Sequence, residues 1–371
     1  NYDIEKKCLE STQRKLAKDQ EKLLLYDKAI MEYPNLGFAK KLSSEEANRM
    51  LKESNAQYVP HHPVFRETST TTKTRIVFNA SAKSKNGLSL NDTLLPGPPL
   101  QPDIGQVLMR FRCHQFALSG DIQKMFCQTA VKEEQWKHQL FLWRNGDSTV
   151  EPDVYAMVVL MFGVTSSPFL AGQTVVRHSE DAEMKARYSK AAEEVGENLY
   201  VDDFMGGDDS EEEVMELRRQ LSGFFIAGGW KMTKYASNSK SVMESIEPED
   251  RLPGIVVNFD DEDKEFQDAT TLGLRWNTRD DTYFIYLSEK VMKGIEVVTK
   301  RRMLAKAHAI YDVFGFFAAF IIRVKVLVQE LWKCKVDWDT PLEGQIVEAF
   351  REWESEIPML AELPIPRWIK T

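Results

Sequence analysis

The chain predicts an α+β fold with more than one core, on three observations. Short β-prone runs alternate with helical patterns in no fixed order, 371 residues exceed what one small core fills, and 43% of them are hydrophobic, as in a globular protein.

The first 55 residues read as a charged, peripheral helical lead-in. A break is expected at Tyr33-Pro34-Asn35, and Ser43 and Glu46 have the spacing of a capping box, so a second helix begins there and runs through Leu51. Arg75-Ile-Val-Phe is β-prone, and the polar, Gly/Pro-marked stretch from Ser81 to Pro102 reads as a long ordered loop, a length usually kept for function. Ile104 to Arg112 suits a helix, Phe116 to Ser119 a strand ending at Asp121, and His138 to Trp143 and Tyr155 to Met161 two further strands. Pro168 opens a helix expected to reach Tyr188, at a position where its missing N–H costs nothing. Glu211 to Gly229 is a helix with acids in its first turn and glycines at its end. An acidic linker, Glu247 to Asp268, precedes a hairpin from Thr271 to Leu287. Two helices follow, Lys290 to Tyr311 and Phe316 to Lys333, parted near Gly315. The elements group into four segments: 1–55, 56–240, 241–288 and 289–371.

Several function classes drop out on composition. The most lipid-like stretch, Phe314 to Ile322, is interrupted by Arg323 and Lys325, far short of the roughly 20 apolar residues a bilayer span needs, so no membrane is expected. Cys8, Cys113, Cys127 and Cys334 form no CxxC pair and no zinc spacing with the histidines, which argues against a metal finger and a disulfide scaffold. His61 and His62 are adjacent, so in a strand they face opposite sides and do not share a metal. The net charge of -9 sits awkwardly with nucleic acid, but it is unevenly spread: His61 to Arg144 holds eleven Lys/Arg against six Asp/Glu, and Ile285 to Lys335 ten against four. The acidity concentrates in Arg177 to Glu216 and Glu247 to Asp281.

Residues 199 to 206 read Leu-Tyr-Val-Asp-Asp-Phe-Met-Gly. Two aspartates between β-prone flanks suit a two-residue hairpin turn, with both carboxylates at the tip; adjacent anions raise one another's pKa unless a hard cation such as Mg²⁺ neutralises them. An ordinary solvated turn has the same residues. Nucleotidyl transfer needs two divalent ions about 4 Å apart, bridged by carboxylates from different segments, and Asp121, at the end of an apolar strand, is the natural partner. A plain N-cap is the alternative there. Phe126 could sit beneath a nucleotide sugar, where its ring would collide with a 2′ hydroxyl, or could be a core phenylalanine. Phe162-Gly163 precedes the Pro168 helix, and the glycine would let a base pair approach the backbone.

The order Arg75, Asp121, Phe126, Gly163/Ser167/Pro168, Tyr200-Val201-Asp202-Asp203, Lys234, Leu272-Gly273 resembles the successive motifs of reverse transcriptases. More narrowly, His61-His62-Pro63-Val64, Thr72-Lys73-Thr74-Arg75, Asn79-Ala-Ser-Ala, Gly87-Leu-Ser-Leu-Asn-Asp92, Leu94-Leu-Pro-Gly-Pro98 and Trp338-Asp339-Thr-Pro341 resemble the polymerase of BEL/Pao long-terminal-repeat retrotransposons, over residues 55 to 345. The resemblance implies a right-hand polymerase fold of fingers and palm (56–240), a primer-grip hairpin (within 241–288), and a helical thumb with the start of a connection (289–371). It implies that Asp121, Asp202 and Asp203 hold two Mg²⁺ ions, with Mn²⁺ as a substitute, and that Lys234, or less favourably Lys231, protonates departing pyrophosphate. Arg75 and Lys73 would reach the triphosphate, Phe126 would be the sugar gate, Phe162 and Gly163 would line the nascent base pair, and Leu272 and Gly273 would grip the primer end. The basic helices after residue 290 would track duplex phosphates. The implied partners are an RNA and DNA template-primer, deoxynucleoside triphosphates, and protease, RNase H and integrase domains outside this stretch. The implied setting is cytoplasmic virus-like particles.

The chain departs from the family at Asn79, where aspartate is common, and at Tyr311-Asp-Val-Phe-Gly315 in place of Phe-Asp-Pro-Leu-Gly. Neither removes a candidate carboxylate. It opens on Asn1 with no signal peptide, which reads as a piece of a longer polyprotein. Two other readings remain: a decayed or domesticated polymerase fold that binds RNA or protein without catalysis, and an aspartic peptidase, disfavoured because no Asp-Thr-Gly or Asp-Ser-Gly motif is present. No spaced set of RNase H acids stands out.

Overall fold

The computed structural model describes residues 1–52, 56–65, 74–144, 149–255 and 269–369. In chain order its helices are α1 (Tyr2–Leu16), α2 (Gln20–Asn35), α3 (Ser44–Lys52), α4 (Ile104–Arg110), α5 (Ser167–Glu180), α6 (Ala182–Arg187), α7 (Ser189–Asn198), α8 (Glu211–Ala227), α9 (Lys240–Glu244), α10 (Glu289–Met292), α11 (Lys300–Ala309), α12 (Ala318–Lys333) and α13 (Gln345–Glu356). Its strands are β1 (Ala39–Lys41), β2 (His61–Phe65), β3 (Thr74–Phe78), β4 (Phe116–Ile122), β5 (Leu140–Trp143), β6 (Asp153–Met157), β7 (Leu199–Tyr200), β8 (Asp203–Asp208), β9 (Met232–Ser237), β10 (Ala269–Thr271), β11 (Leu274–Asn277), β12 (Thr282–Ile285) and β13 (Ile365–Pro366). The α+β mixture stands. The chain divides into two compact units, one built from Asn1–Gln101, Ile122–Gly196 and Gln220–Met232, the other from Pro102–Asp121, Glu197–Arg219 and the residues from Thr233 onward.

In the first unit, α1 and α2 pack against the antiparallel sheet β1-β6-β5 and the β2-β3 ladder. The lead-in is core here, not periphery: Leu9, Tyr26 and Ile30 are at most 1% exposed. Polar side chains tie it down. The Tyr26 hydroxyl lies 2.7 Å from His61 Nδ1, Trp143 Nε1 donates to Asp27 Oδ1 at 3.1 Å, and Arg144 Nε donates to Gln13 Oε1 at 2.8 Å. The lead-in also breaks earlier than expected, between Leu16 and Gln20, where the Asp19 carboxylate accepts the Lys22 N–H and caps α2. The capping box is present: Ser43 N–H donates to Glu46 Oε2 (2.9 Å) and Glu46 N–H to Ser43 Oγ (3.2 Å). Alternation in β2 buries His61 and exposes His62. The helix expected to reach Tyr188 stops at Glu180, because Asp181 turns out and caps α6 through the Glu183 and Met184 N–H groups.

The second unit holds two sheets, one ordered β7-β8-β4-β9 with antiparallel β7-β8 and β8-β4 ladders, the other β10-β11-β12-β13 with antiparallel ladders throughout. The hairpin expected over Thr271 to Leu287 is the centre of the second sheet, which β10 and β13 widen on either side. Arg367, with no exposed surface, fastens the end of this sheet: its guanidinium forks onto Asp281 (2.6 and 2.8 Å) and donates to the carbonyls of Phe111, His114 and Gln115. The helix expected from Lys290 is two, α10 and α11, with Thr299 capping the second through the Arg302 N–H. α11, α12 and α13 close on Val291, Met303, Val324, Val328, Phe350 and Trp353, all 1% exposed or less. The acidic linker falls for the most part outside the described residues.

Candidate active site

Two register facts assemble the centre of the second unit. In the β7-β8 hairpin Tyr200 pairs with Asp203, and in the β4-β8 ladder Asp121 pairs with Asp203. The two-residue turn is therefore Val201-Asp202, not Asp202-Asp203 as the composition suggested, and Asp203 is the first residue of β8. The left-handed conformation falls on Val201, at φ 57°. A β-branched side chain pays for that conformation in steric strain, on the order of 1–3 kcal/mol. Directly opposite residues of an antiparallel pair hold their Cβ atoms about 5 Å apart on one face, so Asp121 and Asp203 are neighbours across strands.

Like charges so placed destabilise, and the electrostatics show it. Burial, then Asp202, then Asp121 push the Asp203 carboxyl up to about 7, against the pull of Lys234. Lys234 comes from β9, the strand beyond β4, and its Nζ stands 2.9 Å from Asp121 Oδ2. It too is held left-handed, at φ 54°. Three carboxylates thus share one neighbourhood with the Lys234 ammonium. Among the described residues no three His, Cys, Asp or Glu side chains form a ready-made metal cage. The donor chemistry nevertheless suits a hard divalent cation: all oxygen, with more negative charge than Lys234 balances, as the raised Asp203 registers.

The second unit also carries Leu272-Gly273, which joins β10 to β11. Thr271 pairs with Leu274, and φ angles of 47° and 86° at the two loop residues are those of a type I′ turn. A Cβ on Gly273 would come within 2.9 Å of the Tyr311 ring, so this tight turn lies directly on Tyr311.

The remaining candidates belong to the first unit. Arg75 is exposed on β3; Lys73 lies outside the described residues. Phe126 is half-buried in a 3₁₀ turn, and its ring meets that of Phe162 with centroids 4.7 Å apart and planes tilted 35°. Gly163 is at φ 90°, and a Cβ there would stand 2.2 Å from the Phe78 carbonyl oxygen, so the turn presses against the end of β3. Sequence reasoning gave no role to Asn91, whose side-chain amide bonds Gly163 O (3.0 Å) and the Thr165 N–H (2.9 Å) across more than seventy residues. Nothing in the residue string signals such a contact.

Part of the positive charge expected to form a basic helical face after residue 290 is engaged within the protein, while Lys290, Lys293, Arg302, Lys325, Lys333 and Lys335 are exposed. Lys300 and Lys306 are buried, 3% and 6% exposed. Lys300 donates to the Val336 carbonyl beneath Trp338, and Lys306 pairs with Glu354 at 2.6 Å. Arg301 forks onto Asp339 and Arg323 onto Glu356. Their charge is spent on packing and pairing, which composition alone does not show.

Residues 299–371 match the family described as Pao retrotransposon-like RNaseH-like domain. No curated protein sequence matches the chain. Among solved structures, the foamy viral protease-reverse transcriptase dRH in complex with double-stranded DNA is similar at a TM-score of 0.54 and 14% identity, over 90% of this chain and 48% of that one. The same viral protein with an RNA/DNA hybrid gives 0.52 and 13%, over 91% and 37%. A further double-stranded DNA complex gives 0.53 and 14%, over 89% and 56%. The chain therefore has a mixed α/β fold resembling a retroviral reverse transcriptase, and it spans about half the length of those proteins or less.

Proposed function

We propose that this chain is the polymerase part of a retroelement polyprotein, an RNA-directed DNA polymerase that adds deoxynucleotides to a primer 3′ end on an RNA or DNA template. The observation that carries the reading is the placement of Asp121 opposite Asp203, with Asp202 in the adjoining turn and Lys234 against Asp121. The fold resemblance and the retrotransposon family match over 299–371 support it.

Asp121, Asp202 and Asp203 would hold two Mg²⁺ ions, or Mn²⁺ in their place. Such ions make the 3′ hydroxyl a better nucleophile and stabilise charge on the leaving pyrophosphate. The chain's own residues supply the rest. Lys234, whose Nζ stands beside Asp121, would give a proton to the departing group. Arg75, and Lys73 with it, would contact the triphosphate; Phe126 would exclude a 2′ hydroxyl, Phe162 and Gly163 would line the base pair, and Leu272-Gly273 would hold the primer end. In this reading the first unit supplies fingers, β7-β8-β4-β9 is the palm sheet, and α11 and α12 belong to a thumb. Protease, RNase H and integrase domains would lie elsewhere in the polyprotein, and the setting would be cytoplasmic virus-like particles.

The family match raises a hydrolytic alternative for 299–371, since its description names an RNaseH-like domain. Five of the ten acids of that stretch are held by other groups: Asp339 by Arg301, Glu330 by Lys333, Glu354 by Lys306 and Arg351, Glu356 by Arg323, and Asp312 by the N–H groups of Phe316 and Phe317; among the described residues no three acids of it gather as a metal site. The carboxylates of the β4-β8 pair are the better candidates for chemistry. Primer extension on an RNA template tests the proposal: Asp202→Asn abolishes extension and leaves the circular dichroism unchanged. Retained extension by that variant would overturn it.

A further inference from the structure

We propose that Asn91 is a positioning residue for the nucleotide pocket, fixing the ring pair Phe126–Phe162 and through it the discrimination between deoxy and ribo substrates. The inference rests on the polymerase reading, in which Phe126 is the sugar gate. Asn91, Phe126, Phe162 and Gly163 all belong to the first unit. Phe162 is 39% exposed, large for a phenylalanine, and its ring covers that of Phe126 at 4.7 Å. A ring that must reject a single hydroxyl has to be held to a fraction of an ångström, and a half-buried aromatic on a short 3₁₀ turn is not fixed by its own backbone. Phe162 supplies the second wall.

What fixes Phe162 is the turn after it. Gly163 is pressed on one side by the Phe78 carbonyl, 2.2 Å from where its Cβ would be. On the other side the Asn91 amide makes three bonds: Nδ2 donates to Gly163 O (3.0 Å) and Ser81 Oγ (2.9 Å), and Oδ1 accepts the Thr165 N–H (2.9 Å). Asparagine is suited to this task because one planar group offers a donor edge and an acceptor edge, and so spans the carbonyl of one residue and the N–H of the next but one. Its own backbone is braced. Asn91 N–H donates to Ala80 O at 3.1 Å, and the adjoining Asp92 carboxylate accepts the Ser89 N–H and hydroxyl at 2.9 and 2.8 Å. The polar loop from Ser81 to Pro102 thereby acts as a clamp on the pocket turn.

The experiment compares primer extension with deoxy- and ribonucleoside triphosphates on wild type, Phe126→Ala, Asn91→Ala, Asn91→Asp and Ser81→Ala, with thermal melts alongside. Asn91→Ala lowers the deoxy-over-ribo preference about ten-fold, the scale of two lost neutral hydrogen bonds, and raises the KM for deoxynucleotide more than it lowers kcat. Asn91→Asp keeps size and the acceptor for Thr165 but sets oxygen against the Gly163 carbonyl, and shows the same loss. Ser81→Ala removes only the outer bond and leaves the preference unchanged. Phe126→Ala separates the two claims. If it relaxes selection while both Asn91 variants keep the wild-type ratio, the role of Asn91 is wrong and the gate stands. If Phe126→Ala leaves selection unmoved, the gate reading fails and the inference with it. Failure of both Asn91 variants to fold would make the residue structural and also overturn the proposal.

Discussion

Replacing Glu5 by glutamine should remove a loss of stability that the wild type suffers between pH 6.5 and 8. Glu5 is 1% exposed on α1, and burial pushes its carboxyl from 4.5 to about 8, with only a Leu142 backbone contact opposing. His61 Nε2 stands 3.8 Å from Glu5 Oε1, and burial carries this imidazole the other way, from 6.5 to about 4. Near neutrality both are uncharged in the folded state. Between 4.5 and 6.5 their linkages oppose: the folded chain holds a proton on Glu5 that the unfolded chain has lost, and the unfolded chain holds one on His61 that the folded chain lacks. The net proton difference of this pair is near zero, and the pair leaves stability flat there. From 6.5 to 8 the unfolded histidine is neutral too, and of this pair only the Glu5 linkage acts. The folded state then binds more protons, so stability falls with rising pH by about 1.4 kcal/mol per unit, or about 2 kcal/mol over the window. In Glu5→Gln only the histidine half of the pair remains: its contribution to stability rises with pH from 4 to 6.5 and is level above it, while other titrating groups such as Asp203 act equally in both proteins. Urea unfolding of both proteins at steps across the window, with m held as a check on two-state behaviour, measures the difference. Parallel curves for wild type and variant above pH 6.5 would refute the reasoning.

Three further outcomes are expected. Asp203→Asn removes a carboxyl raised to about 7 by burial and by its two acidic neighbours, so the variant is the more stable in magnesium-free buffer at pH 8, by about 1–4 kcal/mol, while primer extension is lost; a less stable variant would contradict the site's electrostatics. The gain shrinks as pH falls toward 3.8, because protonation relieves the wild type of the same charge. Gly163→Ala forces a Cβ to within 2.2 Å of the Phe78 carbonyl at a backbone φ of 90°, and thermal melts should show a loss of about 2 kcal/mol or more. Arg367→Met strands Asp281 and three carbonyls in the interior of the second unit, for a loss of about 3–5 kcal/mol in urea, and an effect below 1 kcal/mol would show that the buried pair contributes little.

What was legible in the residue string was what local physics decides. The Ser43–Glu46 box, the Pro-led start of α5, the glycine end of α8 and the opposite faces of His61 and His62 depend on neighbours within a few positions. Asp19 and Asp181 were local signals too, capping aspartates inside runs whose helical pattern continued past them, and the pattern outweighed them in the reading. Long-range pairing is a different matter. That Asp121 stands opposite Asp203 follows from a strand register spanning 82 positions, and the hairpin shows how fine that register is. Composition favours aspartate in the left-handed position, yet the pairing of Tyr200 with Asp203 places valine there instead. The one-residue difference has a chemical consequence. Were Asp202-Asp203 the turn, both carboxylates would sit at a solvated tip; with Val201-Asp202 as the turn, Asp203 joins the sheet beside Asp121 and loses water, and its carboxyl rises. Strain at Val201 and repulsion at Asp203 are two costs of one geometry, and neither contributes to a stable hairpin. A chain with only folding to satisfy would put glycine or asparagine at the turn and a neutral residue opposite Asp121, so the retained pair points to work done at the site rather than to stability.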